Sequence, residues 1–431
     1  MKPSVYNHTL RTTDDKIIVY NALSDSLLFL LPELYEIYES NMGNPEKISR
    51  IHPDFFEALK KKGFLVEDAI DEYEESLKKI KKQERNEGRA QITINPTLDC
   101  NFRCWYCYED HLSSSRMNDS VYASCLKFLK KTIERSDIKH IVLSFFGGEP
   151  LLYYAEIVKP LIEFAKTCAE INNKSIDFYM TTNGFLLSES IVESLSKIGV
   201  LIDFQIAIDG NEKKHNKIKF LASGDGSYAT VVQNILRIVK KGHPVTIRCN
   251  YSSGTIKSFV DVAEGLEEIS SHKNVMVSFH KIWQVSESEQ LEKDFAEVVR
   301  VFRKKGFRIS ISGGENWLCY ADQRNNAVIN YDGRVYVCTA RNFGKNHVGV
   351  LDKNGNIVFN ERYEQRFSVK YRSDSCRLCT IFPICMQGCS QNVLECVDKN
   401  LCVRDNSPYA IEKTIKERVC RIFPQAREMF S

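Results

Sequence analysis

Three cysteines stand close together in the segment Cys100-Asn-Phe-Arg-Cys104-Trp-Tyr-Cys107. Three thiolates within eight residues can close on one metal centre. Structural zinc sites usually take four ligands, whereas three cysteines without a nearby fourth suggest an iron–sulfur cluster with one iron left open. The aromatic side chains between the cysteines would shield such a cluster from water. A zinc knuckle completed from elsewhere in the chain is the alternative.

A second group of cysteines lies near the end of the chain. The chain has 15 cysteines, and in a reducing compartment such a number is more typical of metal ligands than of disulfides. Zinc is again an alternative, because Cx2C pairs are common in zinc sites. The cysteines concerned are Cys319, Cys338, Cys376, Cys379, Cys385, Cys389, Cys396 and Cys402.

Composition narrows the class of protein. Among 431 residues, 59 Lys and Arg against 56 Asp and Glu leave a net charge of +3, which argues against a nucleic-acid partner bound through a strongly basic face. Hydrophobic residues make up 43% of the chain, enough for a large core. No run approaches the ~20 apolar residues of a membrane-spanning helix, and the first residues lack a secretory signal, so we expect no membrane and a cytoplasmic location.

The elements around these cysteines predict an α/β fold. Residues 91–310 alternate strand and helix patterns, which indicates a parallel sheet, open or closed into a barrel. A head of residues 1–90 precedes it, and a cysteine-rich tail of residues 311–431 follows. In parallel α/β folds the chemistry sits at the carboxyl ends of the strands.

Polar and glycine motifs follow the predicted strands. In Gly147-Gly148-Glu149-Pro150, two glycines let the backbone approach a ligand closely, and Glu149 can accept a hydrogen bond from an ammonium group. Thr182-Asn183-Gly184 and Asp209-Gly210 end the next two strands, and Arg248 lies on the fifth. Each motif by itself is also compatible with ordinary turn chemistry.

The Cx3CxΦC spacing of Cys100, Cys104 and Cys107, with Φ aromatic, resembles the radical S-adenosylmethionine (SAM) superfamily. The resemblance implies a [4Fe-4S] cluster whose open iron holds SAM, which is cleaved to a 5′-deoxyadenosyl radical. It also implies that Gly147, Gly148, Glu149 and Pro150 serve the SAM amino group, and that Asn183 and Asp209 lie beside SAM and substrate. Arg248 either pairs with the SAM carboxylate or braces the barrel. His215 and Asn216 follow in a pattern common among peptide-modifying relatives, although a lone histidine is more often structural.

The tail is similar to the SPASM extension of radical SAM enzymes, which carries two auxiliary [4Fe-4S] clusters. The resemblance spans about 319 to 402 and implies three clusters in all. It assigns Cys319, Cys338 and Cys389 to the first auxiliary cluster, without an obvious fourth ligand. It assigns Cys376, Cys379, Cys385 and Cys402 to the second, with Cys396 competing for the place of Cys402. The implied fold is a partial (β/α)6 barrel with an N-terminal winged-helix-like α+β domain and a SPASM domain.

The head favours a peptide substrate. Its strand–helix–Gly63–strand pattern resembles the winged-helix-like module that captures the leader of a precursor peptide by strand addition. A capping domain without a ligand is the alternative. An electron donor such as flavodoxin or ferredoxin is the other implied partner.

Three functions remain open. The first is a peptide maturase that forms an oxidative cross-link (thioether, C–C or C–O) and passes the electron to auxiliary clusters. The second is another oxidation of the SPASM type, either of a sulfatase Cys or Ser to formylglycine or of a small molecule. Relatives that form formylglycine place an Asp base directly after the cysteine that corresponds to Cys338, whereas this chain has Thr339, whose hydroxyl cannot act as that base near neutral pH. A non-catalytic metal-bound binding protein is the third.

Overall fold

The structure is a computed structural model that describes residues 1–286, 288–310, 318–341, 343–344, 346–371, 373–396, 402 and 407–430. The chain divides into two compact units. The first consists of Met1–Arg85, Gly314–Gln323 and Glu364–Ser431, and the second of Asn86–Gly313 and Arg324–Tyr363. The division into domains at about residues 90 and 310 stays a prediction.

The head, in the first unit, is an α+β segment. Its elements are β1 (Lys2–Pro3), β2 (Asn7–Arg11), β3 (Ile17–Asn21), β4 (Ser26–Leu30), α1 (Pro32–Asn41), α2 (Glu46–Ile51), α3 (Pro53–Lys61), β5 (Leu65–Val66) and α4 (Glu72–Arg85). Strands β2, β3 and β4 form an antiparallel sheet with β3 in the middle, and β1 pairs with β5. Gly63 follows α3 with φ +79°, a conformation that glycine adopts without the usual steric penalty.

Strand β3 is covered on both faces. All five of its residues are buried, and successive side chains of a strand point to opposite sides. Ile18 and Tyr20 pack into a core shared with helices of the tail, whereas Ile17 and Val19 pack against the side of the sheet that carries α3. Head and tail therefore fold as one compact unit around this strand.

The second unit is built on a sheet of 11 strands. They are β6 (Gly88–Ile94), β7 (Ile138–Phe145), β8 (Ser175–Thr182), β9 (Ile202–Ile208), β10 (Val245–Tyr251), β11 (Val275–Lys281), β12 (Ile309–Ser310), β13 (Asn326–Ile329), β14 (Arg334–Tyr336), β15 (Gly349–Leu351) and β16 (Ile357–Phe359). The spatial order is β12-β11-β10-β9-β8-β7-β6-β13-β14-β15-β16. Strands β6 to β12 are parallel neighbours, β13 pairs in parallel with β6, and β14 to β16 continue antiparallel.

Helices follow each of the strands β6 to β11. They are α5 (Asp119–Glu134), α6 (Lys159–Ile171), α7 (Glu189–Ile198), α8 (Glu212–Ile218), α9 (Tyr228–Lys240), α10 (Phe259–Gly265) and α11 (Glu289–Lys304). In strand β9 fully buried residues alternate with partly exposed ones, so one face of the strand lies in the core. Six consecutive strand–helix units confirm the predicted α/β fold with a largely parallel sheet.

The tail beyond β16 is helical. Its elements are α12 (Glu361–Ser368), α13 (Asp374–Arg377), α14 (Phe382–Cys385), α15 (Ser390–Glu395), α16 (Pro408–Ile422) and α17 (Ala426–Met429). Phe382, Ile415 and Val419 bury their side chains in the core that also contains Ile18 and Tyr20 of β3. Within the part of the chain that is described, no helix has both the length and the apolar character needed to cross a membrane.

Candidate functional site

The motifs singled out in the sequence lie at the carboxyl ends of four neighbouring strands in the second unit. The cysteine loop follows β6, Gly147 follows β7, Asn183 follows β8 and Asp209 follows β9. Because these strands are parallel and adjacent, their carboxyl ends meet at one edge of the sheet. The structure thus brings together residues that are separated by more than a hundred positions in the chain.

The cysteine loop brings three thiols into one electrostatic environment. The N–H of Cys107 donates to the carbonyl of Cys104 at 3.0 Å, which closes a tight turn. Burial raises the pKa of Cys100 to about 12, and the nearby Glu149 and Cys104 raise it too. Burial likewise raises the pKa of Cys107 to about 11, with Glu109 and Cys104 adding to the shift. Such thiols stay protonated at neutral pH unless a metal centre takes them as thiolates.

Hydrogen-bond donors point at the sulfurs of this loop. The backbone N–H of Phe102 lies 3.4 Å from the Cys100 Sγ, and the Asn183 Nδ2 lies 3.8 Å from the same atom. The Lys219 Nζ lies 3.5 Å from the Cys104 Sγ. Donors of this kind offset the negative charge of thiolates, so the donor set fits a thiolate-ligated iron–sulfur cluster held by Cys100, Cys104 and Cys107.

Gly147 and Gly148 allow the backbone after β7 to pack directly against the backbone of residues 97–99. A Cβ on Gly147 would stand 2.2 Å from the carbonyl oxygen of Thr97, and a Cβ on Gly148 would stand 2.0 Å from that of Asp99. The N–H groups of Gly148 and Glu149 donate to these two carbonyls at 3.1 and 2.8 Å. The glycines therefore fix the cysteine loop against the end of β7, and their role toward SAM stays a prediction.

We predict that Gly148→Ala will abolish stable assembly of a cluster in the cysteine loop. The added methyl group meets backbone rather than a flexible side chain, so the loop must move, at a cost of about 1–3 kcal/mol or more. Iron per chain after anaerobic reconstitution measures the effect. Gly254→Ala is the control, because its Cβ would lie 3.7 Å from the Ser252 Oγ, an ordinary contact. Equal iron in both variants would contradict the prediction.

Glu149 connects the ends of two strands. Its side chain is fully buried, and its carboxylate accepts from the N–H of Leu151 (3.0 Å), the hydroxyl of Thr182 (2.8 Å) and the N–H of Asn183 (2.8 Å). Burial raises its pKa to about 7, although these hydrogen bonds favour the charged form. Pro150 begins the short turn that follows. The contacts give Glu149 a role in shaping the site, and the predicted bond to an ammonium group stays a prediction.

Asp209 is the centre of a buried polar network. Its side chain has no exposed surface and accepts from the hydroxyl of Tyr106 at 2.7 Å and from the Nδ2 of Asn250 at 3.1 Å. The Lys219 Nζ lies 3.8 Å from its Oδ2. Tyr106 belongs to the cysteine loop, so this carboxylate ties the end of β9 to the predicted cluster. The sequence indicated Asp209 but gave no sign that Lys219 is buried beside it.

His215 has a structural role in this arrangement. It is fully buried, its Nδ1 accepts from the N–H of Asp209 at 3.3 Å, and its Nε2 bonds to the hydroxyl of Ser227 at 3.1 Å. Burial, together with the charge of Lys219, lowers its pKa to about 3. A neutral imidazole with both nitrogens engaged fixes α8 to the loop that follows it.

Arg248 lies on β10 among groups of the same site. Its Nε donates to the Oδ1 of Asn250 at 3.0 Å. Burial lowers its pKa, and the neighbouring Tyr108, Tyr106 and Asp209 oppose that shift. Burial and the charge of Arg248 lower the pKa of His280 on β11 to about 4. Arg248 therefore holds Asn250, as a bracing residue would, and its pairing with the SAM carboxylate stays a prediction.

Glu109 is a further residue that the sequence did not indicate. It is buried two positions after Cys107, and neither of its carboxylate oxygens has a hydrogen-bond partner among the described residues. Burial raises its pKa from the ordinary 4.5 to about 8. The folded chain thus holds a proton that the unfolded chain has released, so this group lowers stability as pH rises from about 4.5 to about 8.

We expect Glu109→Gln to remove that pH dependence. Between about pH 5 and pH 8, the unfolding free energy of the wild type should fall by on the order of 3 kcal/mol relative to that of the variant. Chemical denaturation of both proteins, in the same state of cluster loading, measures the difference. The exposed Glu156→Gln serves as control and should follow the wild type. Parallel pH profiles for Glu109→Gln and wild type would contradict a buried, unpaired carboxyl group.

In the first unit, four tail cysteines interact electrostatically. Burial raises the pKa of Cys376 to about 11, and Cys385, Cys379 and Cys402 raise it further. Burial also raises the pKa of Cys379, and Cys385 and Cys402 add to that shift, while the N–H groups of Ile381 and Phe382 point at its sulfur. Cys396, the competing candidate, ends α15 and donates its N–H to the Asn392 carbonyl at 3.0 Å. These interactions are compatible with Cys402 as the fourth member of this group, and the choice between Cys396 and Cys402 stays a prediction.

The remaining predicted ligands belong to different units. Cys319 and Cys389 are part of the first unit, and Cys338 is part of the second. The N–H of Ala340 donates to the Cys338 Sγ at 3.3 Å. Cys389 follows Met386, Gln387 and Gly388, all with positive φ. Their assignment to one auxiliary cluster stays a prediction.

A buried ionic group lies three residues after Cys319. Asp322 pairs with Arg366 (3.0 Å) and with Lys370 (2.9 Å), and all three side chains are at most 6% exposed. The Nη1 of Arg366 also donates to Gln391, two positions after Cys389, at 3.0 Å. Two cations therefore face one anion in this buried group. A buried cation is compatible with thiolates nearby, because burial is costly for a charge that is not balanced.

Comparison with known proteins places this geometry in context. Residues 94–266 match the family model of the Radical SAM superfamily. The radical SAM cyclopropyl synthase TigE of Paramaledivibacter caminithermalis is 23% identical over 317 residues, which cover 64% of this chain and 64% of that protein. The chain thus spans slightly less than two thirds of the length of that relative.

The chain also resembles a second relative in sequence and a solved structure in fold. A cysteine-type anaerobic sulfatase-maturating enzyme of Clostridium novyi is 24% identical over 341 residues, covering 70% of this chain and 88% of that protein. The structure of Streptococcus suis SuiB bound to the precursor peptide SuiA has a TM-score of 0.53 and 14% identity, and it covers 94% of this chain and 99% of that one. At that identity the second similarity concerns the fold alone.

Proposed function

The chain contains a radical SAM domain over residues 94–266, and from that premise we propose that it is a maturase of a ribosomally made precursor peptide. When bound, a [4Fe-4S] cluster and SAM supply a 5′-deoxyadenosyl radical that abstracts hydrogen from the peptide. The product is an oxidative intramolecular cross-link, through a thioether, C–C or C–O bond. The auxiliary clusters would accept the electron that is released, and an electron donor such as flavodoxin or ferredoxin would supply the electron for SAM cleavage.

Residues of this chain would hold those groups at one edge of the sheet. Cys100, Cys104 and Cys107 would ligate the cluster, since their thiols share one environment and face donors. The backbone of Gly147 and Gly148 is fixed against the cysteine loop, where SAM would meet it. Asn183 and Asp209 end the two adjacent strands, within reach of the same space.

The identity of the residue after Cys338 is the observation that favours a peptide cross-link over formylglycine formation. Thr339 stands where the formylglycine-forming relatives have an aspartate base, and its hydroxyl cannot take up a proton near neutral pH. Its carbonyl accepts from the hydroxyl of Tyr108 at 2.8 Å, so this position is held next to the cysteine loop. Formylglycine formation on a sulfatase is the second candidate, because a sulfatase-maturating enzyme is among the relatives.

The head supports a peptide partner. Strands β2 and β4 form the edges of the three-stranded sheet around β3, and an extended leader segment would bind by adding a strand to such an edge. The solved neighbour SuiB was determined with its precursor peptide bound. These observations support recognition of a leader by the head.

The tail would hold the auxiliary clusters. Cys376, Cys379, Cys385 and Cys402 would ligate one [4Fe-4S] cluster, which their shared environment supports. Cys319, Cys338 and Cys389 would ligate the other. With the cluster of the cysteine loop, this makes three.

The test is the mass of a small peptide encoded beside the gene, after anaerobic co-expression with the chain. We expect loss of two hydrogens, with fragmentation blocked between the two bonded residues. Co-expression with Cys104→Ala should leave the peptide unchanged. An unmodified peptide beside an iron-replete chain that cleaves SAM would contradict the proposal, and formylglycine on a sulfatase peptide would establish the second candidate.

A further inference from the structure

Lys219 is a buried cation that the function proposed above does not use. Its residue is 5% exposed, and its Nζ lies 3.5 Å from the Cys104 Sγ and 3.8 Å from the Asp209 Oδ2. The ammonium also lies 5.8 Å from the centre of the Tyr106 ring. A lysine charge is costly to bury unless other groups compensate it. These neighbours must therefore offset the cost of burying the Lys219 ammonium group.

Asp209 compensates this charge only in part. At 3.8 Å its oxygen is beyond hydrogen-bond distance of the ammonium, and the same oxygen already accepts from the Tyr106 hydroxyl at 2.7 Å. The sulfur of Cys104 is nearer to the Nζ than Asp209 is. The ammonium therefore has a donor directed at a predicted cluster ligand.

The backbone of Lys219 is fixed on both sides. Its N–H donates to the carbonyl of His215 at 2.7 Å, and its carbonyl accepts from the Ser227 hydroxyl at 2.6 Å. Ser227 is bonded in turn to the Nε2 of His215 at 3.1 Å. Asn211 caps α8 through the N–H of Lys214 at 3.1 Å. These hydrogen bonds fix the backbone from which the Lys219 side chain extends toward Cys104.

We propose that Lys219 is a positioning residue that donates to the cluster-bound thiolate of Cys104 and raises the reduction potential of that cluster. The inference rests on the proposed function, since it requires Cys104 to be a cluster ligand. Hydrogen bonds to the sulfurs and the local net charge are among the factors that set the potential of an iron–sulfur cluster. A fixed positive charge favours the reduced form, because reduction adds one negative charge to the cluster.

The test is a redox titration of the reconstituted, SAM-free protein followed by electron paramagnetic resonance. The signal of the cluster is identified by its loss in Cys104→Ala. Lys219→Gln is expected to shift the midpoint of that signal to a more negative potential, with iron content retained. Lys219→Arg keeps the charge and should lie closer to wild type. Lys217→Gln, on the exposed side of α8, is the matched control and should titrate as the wild type does.

A second pair of variants guards against misfolding, because Lys219→Gln leaves Asp209 buried without its cation. Asp209→Asn is compared with the double variant Asp209→Asn, Lys219→Gln, and the double variant should have the more negative midpoint. A midpoint that is the same with and without Lys219 in both comparisons would overturn the inference. If the wild type has no signal that depends on Cys104, the proposed function itself fails, which is a distinguishable result.

Discussion

The Cys104→Ala variant is expected to lose SAM cleavage while it keeps the iron of its tail. Cys104 is the middle one of the three predicted ligands; its sulfur lies 3.5 Å from the Lys219 Nζ and interacts electrostatically with the other two thiols. Two thiolates would remain, which is too few to hold a cluster that leaves one iron open. We expect about one third of the iron to be lost if three clusters are present, and 5′-deoxyadenosine to fall to background.

Iron and sulfide analysis after anaerobic reconstitution and chromatographic detection of 5′-deoxyadenosine measure this effect. Cys168→Ala makes the same change in α6, away from the cysteine loop, and should behave as the wild type. SAM cleavage that persists in Cys104→Ala would show that the catalytic cluster is held elsewhere.

The second large effect is expected from Cys402→Ala. Cys402 is one of the thiols that act on Cys376 and Cys379, so it is placed to complete their cluster. Its removal should cost about four irons per chain and abolish peptide product, while some SAM cleavage remains, because the cysteine loop belongs to the other unit. The iron content and the ratio of 5′-deoxyadenosine to modified peptide give the result.

Cys396→Ala is the matched variant for this experiment. It removes a thiol only six positions earlier in the chain and should retain its iron. Loss of one cluster in Cys396→Ala with retention in Cys402→Ala would reverse the assignment. Equal loss of SAM cleavage and product in Cys402→Ala would mean that the tail cluster stabilises the fold rather than accepting electrons.

The α/β centre could be predicted from the sequence because its strands and helices carry strong, regular patterns. The six strand–helix units follow from periodicity, and the polar motifs are recognised from the residue types at the predicted strand ends. The parallel order of the strands brings Cys100, Asn183 and Asp209 together. Each of these motifs lies directly after a strand whose core side chains are buried. Local pattern and global fold agree there, which is why the prediction succeeds.

The site beyond those motifs could not be predicted in the same way. Lys219 lies near Lys213, Lys214 and Lys217 in the sequence, and this lysine-rich pattern predicts a solvent-exposed helix. Only its spacing of four residues from His215 hints that it shares a buried face. The clash that a Cβ on Gly148 would have with Asp99 depends on contact between two loops, and no local pattern encodes it.

The sequence gives no signal for strands β13 to β16 for a related reason. They are three or four residues long, too short for an alternating pattern to stand out. Strand β13 pairs with β6, more than 200 positions away, so the pairing is set by the packing of the whole unit. The spacing of the cysteines likewise permits both Cys396 and Cys402 as the last ligand, and the choice between them stays a prediction.

The most direct test of the central claim is transfer of deuterium from the precursor peptide to 5′-deoxyadenosine. The peptide is prepared with deuterium on the carbons of its candidate cross-link residues and incubated anaerobically with the chain, SAM and a reductant. The account predicts 5′-deoxyadenosine that carries deuterium, in step with the peptide losing two hydrogens. Modified peptide accompanied only by unlabelled 5′-deoxyadenosine, with every carbon of those residues labelled in turn, would contradict it.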